Sequence, residues 1–117
     1  EQRQKIAEWY FESLKGFRGV TLPKIVDNAS HVYHLYVIRV AERDKLKDYL
    51  LDRDISTLIH YPIPPYRQNA YSSLEIGKDN YPIANEISNS CLSLPLWPGM
   101  TQEHVVHIAN QIESFLR

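Results

Sequence analysis

At 117 residues the chain has the length of one small domain, long enough to fold around a core without disulfides or metals. Hydrophobic residues make up 44% and charged residues 23%, an ordinary globular composition that excludes a disordered tail. Thirteen Lys and Arg face fourteen Asp and Glu, so the net charge of −1 carries no basic excess and nucleic acid is not an expected partner. No apolar run approaches the ~18 residues of a membrane helix, and no charged-then-apolar leader opens the chain. The one cysteine, Cys91, cannot form an internal disulfide, which is compatible with a reducing compartment. Aromatic residues reach 11%, a content suited to a packed or a ligand-facing surface.

In chain order, Ile6, Ala7, Tyr10, Leu14 and Phe17 recur at spacings of three and four, which predicts an amphipathic helix ended by Gly16 and Gly19. Residues 1–4 contain no capping residue, so the helix pattern is already running at Glu1, as in a chain trimmed upstream. Pro23 and Asp27 to Ser30 bracket a loop. A strand between Val20 and Val26 is allowed only at a sheet edge, because of Pro23. His31 to Val40 is rich in β-branched and aromatic residues and predicts a strand buried on much of both faces. Arg43 to Arg53 predicts a helix with Leu46, Tyr49 and Leu50 inward, and Ile55 to Tyr61 a second strand stopped by Pro62.

Pro62, Pro64 and Pro65 favour an extended, polyproline-like path, followed by one or two helical turns between Tyr66 and Leu74. Residues 77–80 read as a turn. Pro82 suits the first position of a helix to about Ser90, with Ile83, Ala84, Ile87 and Cys91 inward. Leu92 to Leu94 is a strand stub, and Thr101 caps a last helix whose stripe is Val105, Ile108, Ala109, Ile112, Phe115 and Leu116. The mixture predicts an α/β or α+β fold, a small sheet covered by helices.

Most signatures of chemistry are missing. The four glycines form no phosphate loop, and no Gly-x-Ser-x-Gly occurs. Cys91 reads as a small core residue. His31 and His34, on a strand, would point to opposite faces. His104 and His107 share a helix face but lack a third ligand, so they read as exposed side chains and no metal site is expected. None of the six lysines, at positions 5, 15, 24, 45, 47 and 78, looks like a desolvated Schiff-base lysine.

The stretch from Ile59 to Gln68 stands apart: a His and a Tyr at a strand end, stiff prolines, then Tyr66, Arg67 and Gln68. Strand ends feeding rigid loops often carry ligand-facing side chains. A plug of aromatic residues over a sheet edge, its His satisfied by the backbone, fits the same residues equally well.

From this stretch outward, the chain resembles the C-terminal part of the DegT-like family of sugar aminotransferases. The resemblance rests on an ordered set: Arg3, Ile6, Ala7, Tyr10 and Leu14; Tyr33 to Arg39; Arg43, Asp44 and Leu46; Ile55 to Thr57; His60, Tyr61, Pro62 and Pro64; Gln68, Ala70 and Tyr71; Pro82 to Ala84; and Leu92 to Pro95 before the closing helix. It covers nearly the whole chain. Three positions depart from the family pattern: Asp54 stands in place of Gly, Tyr66 in place of a frequent His, and Asn85 in place of Glu. Asp tolerates the left-handed conformation that Gly would take at position 54.

The resemblance implies the small C-terminal domain of a fold-type-I aminotransferase, a short and mainly antiparallel sheet with helices packed on it. Residues 1–18 would be the inter-domain helix and 19–117 the small domain. A parent about three times as long would use pyridoxal 5′-phosphate to move an amino group from an amino-acid donor, glutamate by family habit, to a nucleotide-linked keto sugar. It would act as a cytoplasmic homodimer in amino-sugar or surface-polysaccharide biosynthesis. The cofactor lysine would lie in the cofactor domain upstream, so no catalytic or cofactor-binding residue is expected in this chain. His60 and Tyr61 are the expected substrate-facing residues, followed by Tyr66, Arg67 and Gln68; Arg67 serves either a diphosphate or the solvent. His34 and Tyr36 are assigned to core or inter-domain packing. A sugar dehydratase of the same family and a free-standing, non-catalytic domain that binds a sugar nucleotide or a partner are the alternatives.

Overall fold

A computed structural model describes residues 1–74, 77 and 80–117. Helix α1, Gln2–Leu14, buries Ile6, Ala7, Tyr10 and Leu14, four of the five residues of the expected stripe, while Phe17 lies beyond its end and is half-buried. The helix ends before Gly16, whose φ of 90° needs a residue without a Cβ. Strand β1, Val20–Thr21, pairs antiparallel with β2, Tyr36–Val40, which pairs antiparallel with β3, Cys91–Leu94. The sheet order is β1-β2-β3, so the short strand before Pro23 is indeed an edge. Helix α2 spans Arg43–Leu51, α3 Pro82–Ser90 and α4 Gln102–Leu116, and two short 3-10 helices occupy Pro65–Arg67 and Asn69–Leu74.

Side-chain alternation divides the sheet into two faces. Tyr36, Ile38 and Val40, with register partners Leu94 and Leu92, form one face and enter the core. Ile6, Tyr10 and Leu14 from α1, Leu46 and Leu50 from α2, and Val105, Ile108 and Ile112 from α4 complete that core. The other face carries Val37 and Arg39 beside Ser93 and Cys91. Helix α3 lies there, with Glu86 3.1 Å from Arg39. The N-terminus of α4 is closed as expected: the Thr101 hydroxyl accepts the His104 N–H, and His104 Nδ1 accepts the Thr101 N–H, a reciprocal capping box.

Three expectations are corrected. The strand predicted over 31–40 exists only from Tyr36 onward. Tyr33 has a φ of 48°, outside the extended region, and its N–H turns back to His31 Nδ1 at 2.9 Å. Beyond Tyr36 the partner strand has run out, because Tyr36 pairs with Leu94 and Pro95 follows. The free carbonyls of Tyr33 and His34 accept instead from the Arg3 guanidinium, at 3.3 and 2.9 Å. His31 and His34 are therefore not related by strand alternation.

The strand predicted over Ile55 to Tyr61 is reduced to one bridge, Leu58 opposite Ser93. Its first residues are taken by the end of α2. Asp54 adopts a φ of 60°, its N–H reaches the Leu51 carbonyl, and the Ile55 N–H reaches the Leu50 carbonyl at 2.9 Å. This is a Schellman closure with buried Ile55 packing back on the helix. At its other end the His60–Tyr61 peptide bond is cis and Pro62 follows.

Helix α3 starts at Pro82 as expected, yet Ile83 is 71% and Ile87 42% exposed. The helix rests on the sheet through buried Ser88 and the Glu86–Arg39 pair, which turns the isoleucines outward. Its C-terminus is anchored by Arg43, whose Nη1 donates to the carbonyls of Ser88 at 3.1 Å and Cys91 at 2.9 Å. Cys91 itself is buried, as a core residue should be. In the predicted turn at 77–80, the Asn80 N–H donates to the Gly77 carbonyl at 3.2 Å, while Lys78 and Asp79 lie outside the described residues.

Candidate functional site

The segment after α2 leaves the Asp54 closure, touches β3 once at Leu58, and reaches His60 half-buried against the polar face of the sheet. There His60 Nδ1 lies 2.9 Å from Ser93 Oγ. Both residues line a cleft of about 160 Å³ with His34, Ser56, Leu58 and Leu96. Tyr61 stands edge-on to the His60 ring, centroids 5.5 Å apart, and is 72% exposed. Pro64 is buried in an extended conformation, with ψ of 149°, and hands the chain to the first 3-10 turn.

That turn directs Tyr66 toward α3. The Tyr66 hydroxyl donates to Asn85 Oδ1, and its ring packs at a tilt on Tyr81, centroids 4.9 Å apart. The two departures from the family pattern at 66 and 85 therefore meet in one hydrogen bond. The Arg67 guanidinium lies 6.0 Å from the Tyr66 ring, the outer limit of a cation–π contact. Arg67 and Gln68 are both exposed. The five expected residues thus fall into two groups: His60 against β3 with Tyr61 beside its ring, and Tyr66 against α3 with Arg67 beside its ring. Gln68 sits between the two 3-10 turns, and the cleft beside His60 is not lined by Tyr66, Arg67 or Gln68.

Two members of the His60 cleft were not anticipated. Ser93 is buried, and a hydroxyl inside an otherwise apolar strand stub needs a partner; that need is the signal its sequence position carries. His34, assigned to core or inter-domain packing, is exposed in this chain, so it is not a core residue, and it lines the cleft. Tyr36 does belong to the core, stacked 4.9 Å from Tyr10. Burial pushes the hydroxyls of both tyrosines far above the usual phenol range, with smaller contributions from Tyr36 on Tyr10 and from Tyr33 on Tyr36. The Tyr10 hydroxyl donates to the Pro95 carbonyl at 2.8 Å.

A pyridoxal phosphate site would need a desolvated lysine and a cradle for the phosphate. Among the described residues no lysine is buried. Lys5 lies 5.5 Å from the Trp9 ring, while Lys15 and Lys45 pair with Glu12 and Glu42 one turn away. These residues do not fit the cofactor. Among the described residues there is also no cluster of three metal-ligating side chains. His104 and His107 are exposed, as expected. No helix among the described residues is long and apolar enough to cross a membrane.

Residues 1–113 match the model of the DegT/DnrJ/EryC1/StrS aminotransferase family. The chain is 39% identical, over 98% of its length, to the dTDP-3-amino-3,6-dideoxy-alpha-D-galactopyranose transaminase of Aneurinibacillus thermoaerophilus, of which it spans 31%. It is 32% identical, over 97% of its length, to the UDP-N-acetyl-3-dehydro-alpha-D-glucosamine 3-aminotransferase of Acidithiobacillus ferrooxidans, of which it spans 30%. Among solved structures, DesV of S. venezuelae in complex with a ketimine intermediate superposes with a TM-score of 0.94 at 28% identity, over 99% of this chain and 31% of that one. The chain spans about a third of the length of the curated relatives it matches. The family model spans residues 1–113 and the DesV fold covers 99% of the chain, so the chain belongs to the DegT/DnrJ/EryC1/StrS aminotransferase family.

Proposed function

We propose that this chain is the C-terminal part of a pyridoxal phosphate-dependent sugar aminotransferase. Residues 1–18 serve as its inter-domain helix and 19–117 as its small domain. The parent moves an amino group from an amino-acid donor, glutamate in this reading, to a nucleotide-linked keto sugar, as a homodimer in the cytoplasm. The cofactor, bound by another part of the parent, supplies the electron sink. This chain's task is to build one wall of the sugar site.

The observation that carries the reading is the placement of His60. It is held on β3 through Ser93, half-buried at the edge of a cleft, with its neighbour Tyr61 exposed. A side chain held in this way can orient a sugar hydroxyl or carbonyl. Tyr66, fixed on Asn85, and the exposed Arg67 and Gln68 form a second rim, suited to the more distant and more polar part of the substrate.

The test uses the full-length protein that contains this sequence. Given pyridoxal phosphate, glutamate and a dTDP- or UDP-linked keto sugar, it should yield the amino sugar and 2-oxoglutarate, read by mass spectrometry. His60→Asn should lower kcat/KM for the sugar by roughly 10–100-fold with little change in melting temperature, the mark of a lost positioning group. The half-reaction with the amino donor should suffer less. Unchanged sugar kinetics beside a clear loss of stability would make His60 a packing residue. A deoxygenated keto sugar as product would identify a dehydratase.

A further inference from the structure

We infer that Ser93 is a positioning residue that fixes the tautomer of His60, so that the imidazole offers its Nε2–H to the cleft as a hydrogen-bond donor. Neutral imidazole has one donor and one acceptor nitrogen, and the hydrogen bond at one nitrogen decides what the other presents. The structure places Ser93 Oγ 2.9 Å from His60 Nδ1. Ser93 lies in the middle of β3 and is buried.

Its backbone groups are already engaged, the N–H with the Leu58 carbonyl at 2.8 Å and the carbonyl with the Leu58 N–H at 3.2 Å. The side-chain proton of a buried serine must still find an acceptor, and His60 Nδ1 stands at donor–acceptor distance. With Ser93 donating, Nδ1 is the bare nitrogen and Nε2 carries the hydrogen. The reverse arrangement would turn the serine proton away from that acceptor, at the cost of a buried donor left unmade.

The main chain reinforces the pairing. The Leu58 bridge sets the segment against β3 two residues before His60, and the Cys91 thiol lies 3.8 Å from the His60 carbonyl. His60 is therefore tied to the same strand through main chain and side chain alike. The consequence for ligand chemistry is specific. The residue presents a donor, complementary to a carbonyl or hydroxyl oxygen, rather than a free nitrogen that would accept a proton. This deepens the substrate-facing reading of His60 and rests on it for the identity of the ligand, though not for the tautomer.

The two layers separate experimentally. In full-length protein labelled with [15N]histidine, with the His60 signal assigned by its loss in His60→Asn, the ring nitrogens of neutral His60 should report a protonated Nε2 and a bare Nδ1. Ser93→Ala should mix the tautomers, and Ser93→Thr, which keeps the hydroxyl, should restore the wild-type pattern. Ser93→Ala should also lower kcat/KM for the keto sugar by about tenfold, less than the ~100-fold that accompanies outright misplacement of a reacting group. A wild-type ring protonated at Nδ1, or a pattern unmoved by Ser93→Ala, overturns the inference. If the tautomer responds as stated while sugar kinetics stay unchanged in both Ser93→Ala and His60→Asn, the role of Ser93 stands and the substrate-facing reading falls.

Discussion

The two faces of the three-stranded sheet are built by different means. On one, Tyr36, Ile38, Val40, Leu92 and Leu94 meet three helices, and the buried side chains form one continuous cluster. On the other, α3 and the segment from His60 to Leu74 are held by single polar contacts: Arg39 with Glu86, Arg43 with two carbonyls, His60 with Ser93, Tyr66 with Asn85. There the large apolar side chains Tyr61, Ile63, Tyr71, Leu74 and Ile83 stay exposed. Non-directional burial makes the fold on the first face, and directional bonds place a few side chains on the second. A site built the second way can change its contacts, as at Tyr66 and Asn85, without disturbing the core.

The widest separation should appear between two leucines that are near neighbours at the sheet edge. Leu92 is fully buried, whereas Leu58 is 63% exposed although its backbone pairs with the next residue of β3. Leu92→Ala should cost about 2–5 kcal/mol, the range for deleting a buried leucine, while Leu58→Ala should stay within about 0.5 kcal/mol. Denaturant titrations of both variants decide this. Equal losses would mean that the second face is part of the same core.

Arg43 joins the faces. It begins α2 on the core side, and its side chain, only 6% exposed, closes the C-terminus of α3 on the other. Arg43→Leu keeps apolar bulk but leaves the Ser88 and Cys91 carbonyls without this donor, at a cost of about 2–3 kcal/mol. Hydrogen exchange should show the loss concentrated in α3, with α1 and α4 protected as before.

How much of this was legible in sequence follows the same division. The stripes of α1 and α4, the Thr101 cap and the edge position of β1 were readable, because burial on a regular helix and the missing N–H of Pro23 leave local signatures. The lengths of the strands were not. His31 to Leu35 and Ile55 to Tyr61 have strand-like composition, but β3 offers only four residues for pairing. The isoleucines of α3 misled for a related reason: their spacing suits a buried face, yet the helix meets the sheet through Ser88 and the Glu86–Arg39 pair and leaves them exposed. At the candidate site, His60 was readable from its prolines. Ser93 and His34 were not, since their approach to it depends on pairing across more than 25 residues of chain.

A smaller effect tests the core side alone. Tyr10→Phe removes the hydrogen bond to Pro95 and should cost about 1 kcal/mol near neutral pH. Because burial raises the Tyr10 hydroxyl above its value in the unfolded chain, the folded state keeps the proton where the unfolded state begins to lose it, near pH ~10. The contribution is therefore complete below that pH and lost as pH rises through it. The stability gap between wild type and Tyr10→Phe should narrow above pH ~10, in chemical denaturation measured from neutral to alkaline conditions. A gap that widened would contradict burial as the cause.

The smallest effect lies where the chain passes from one regime to the other. Asp54 holds a φ of 60° in the closure of α2, and the segment that carries His60 starts there. Asp54→Gly removes a left-handed strain of at most about 1–2 kcal/mol, lower for Asp than for most residues, and adds about 0.4–1 kcal/mol of unfolded-state entropy. The net gain should be about 0.5 kcal/mol. Asp54→Val adds a β-branched side chain at the same φ and should cost more than about 1 kcal/mol. Both changes act on the helix end, four residues before the bridge to β3, so in the full-length protein the glycine variant should leave sugar kinetics unchanged. A glycine variant that gains stability but loses activity would show that Asp54 also sets the aim of His60, and the boundary between packed fold and placed side chains would then move four residues upstream of the Leu58 bridge.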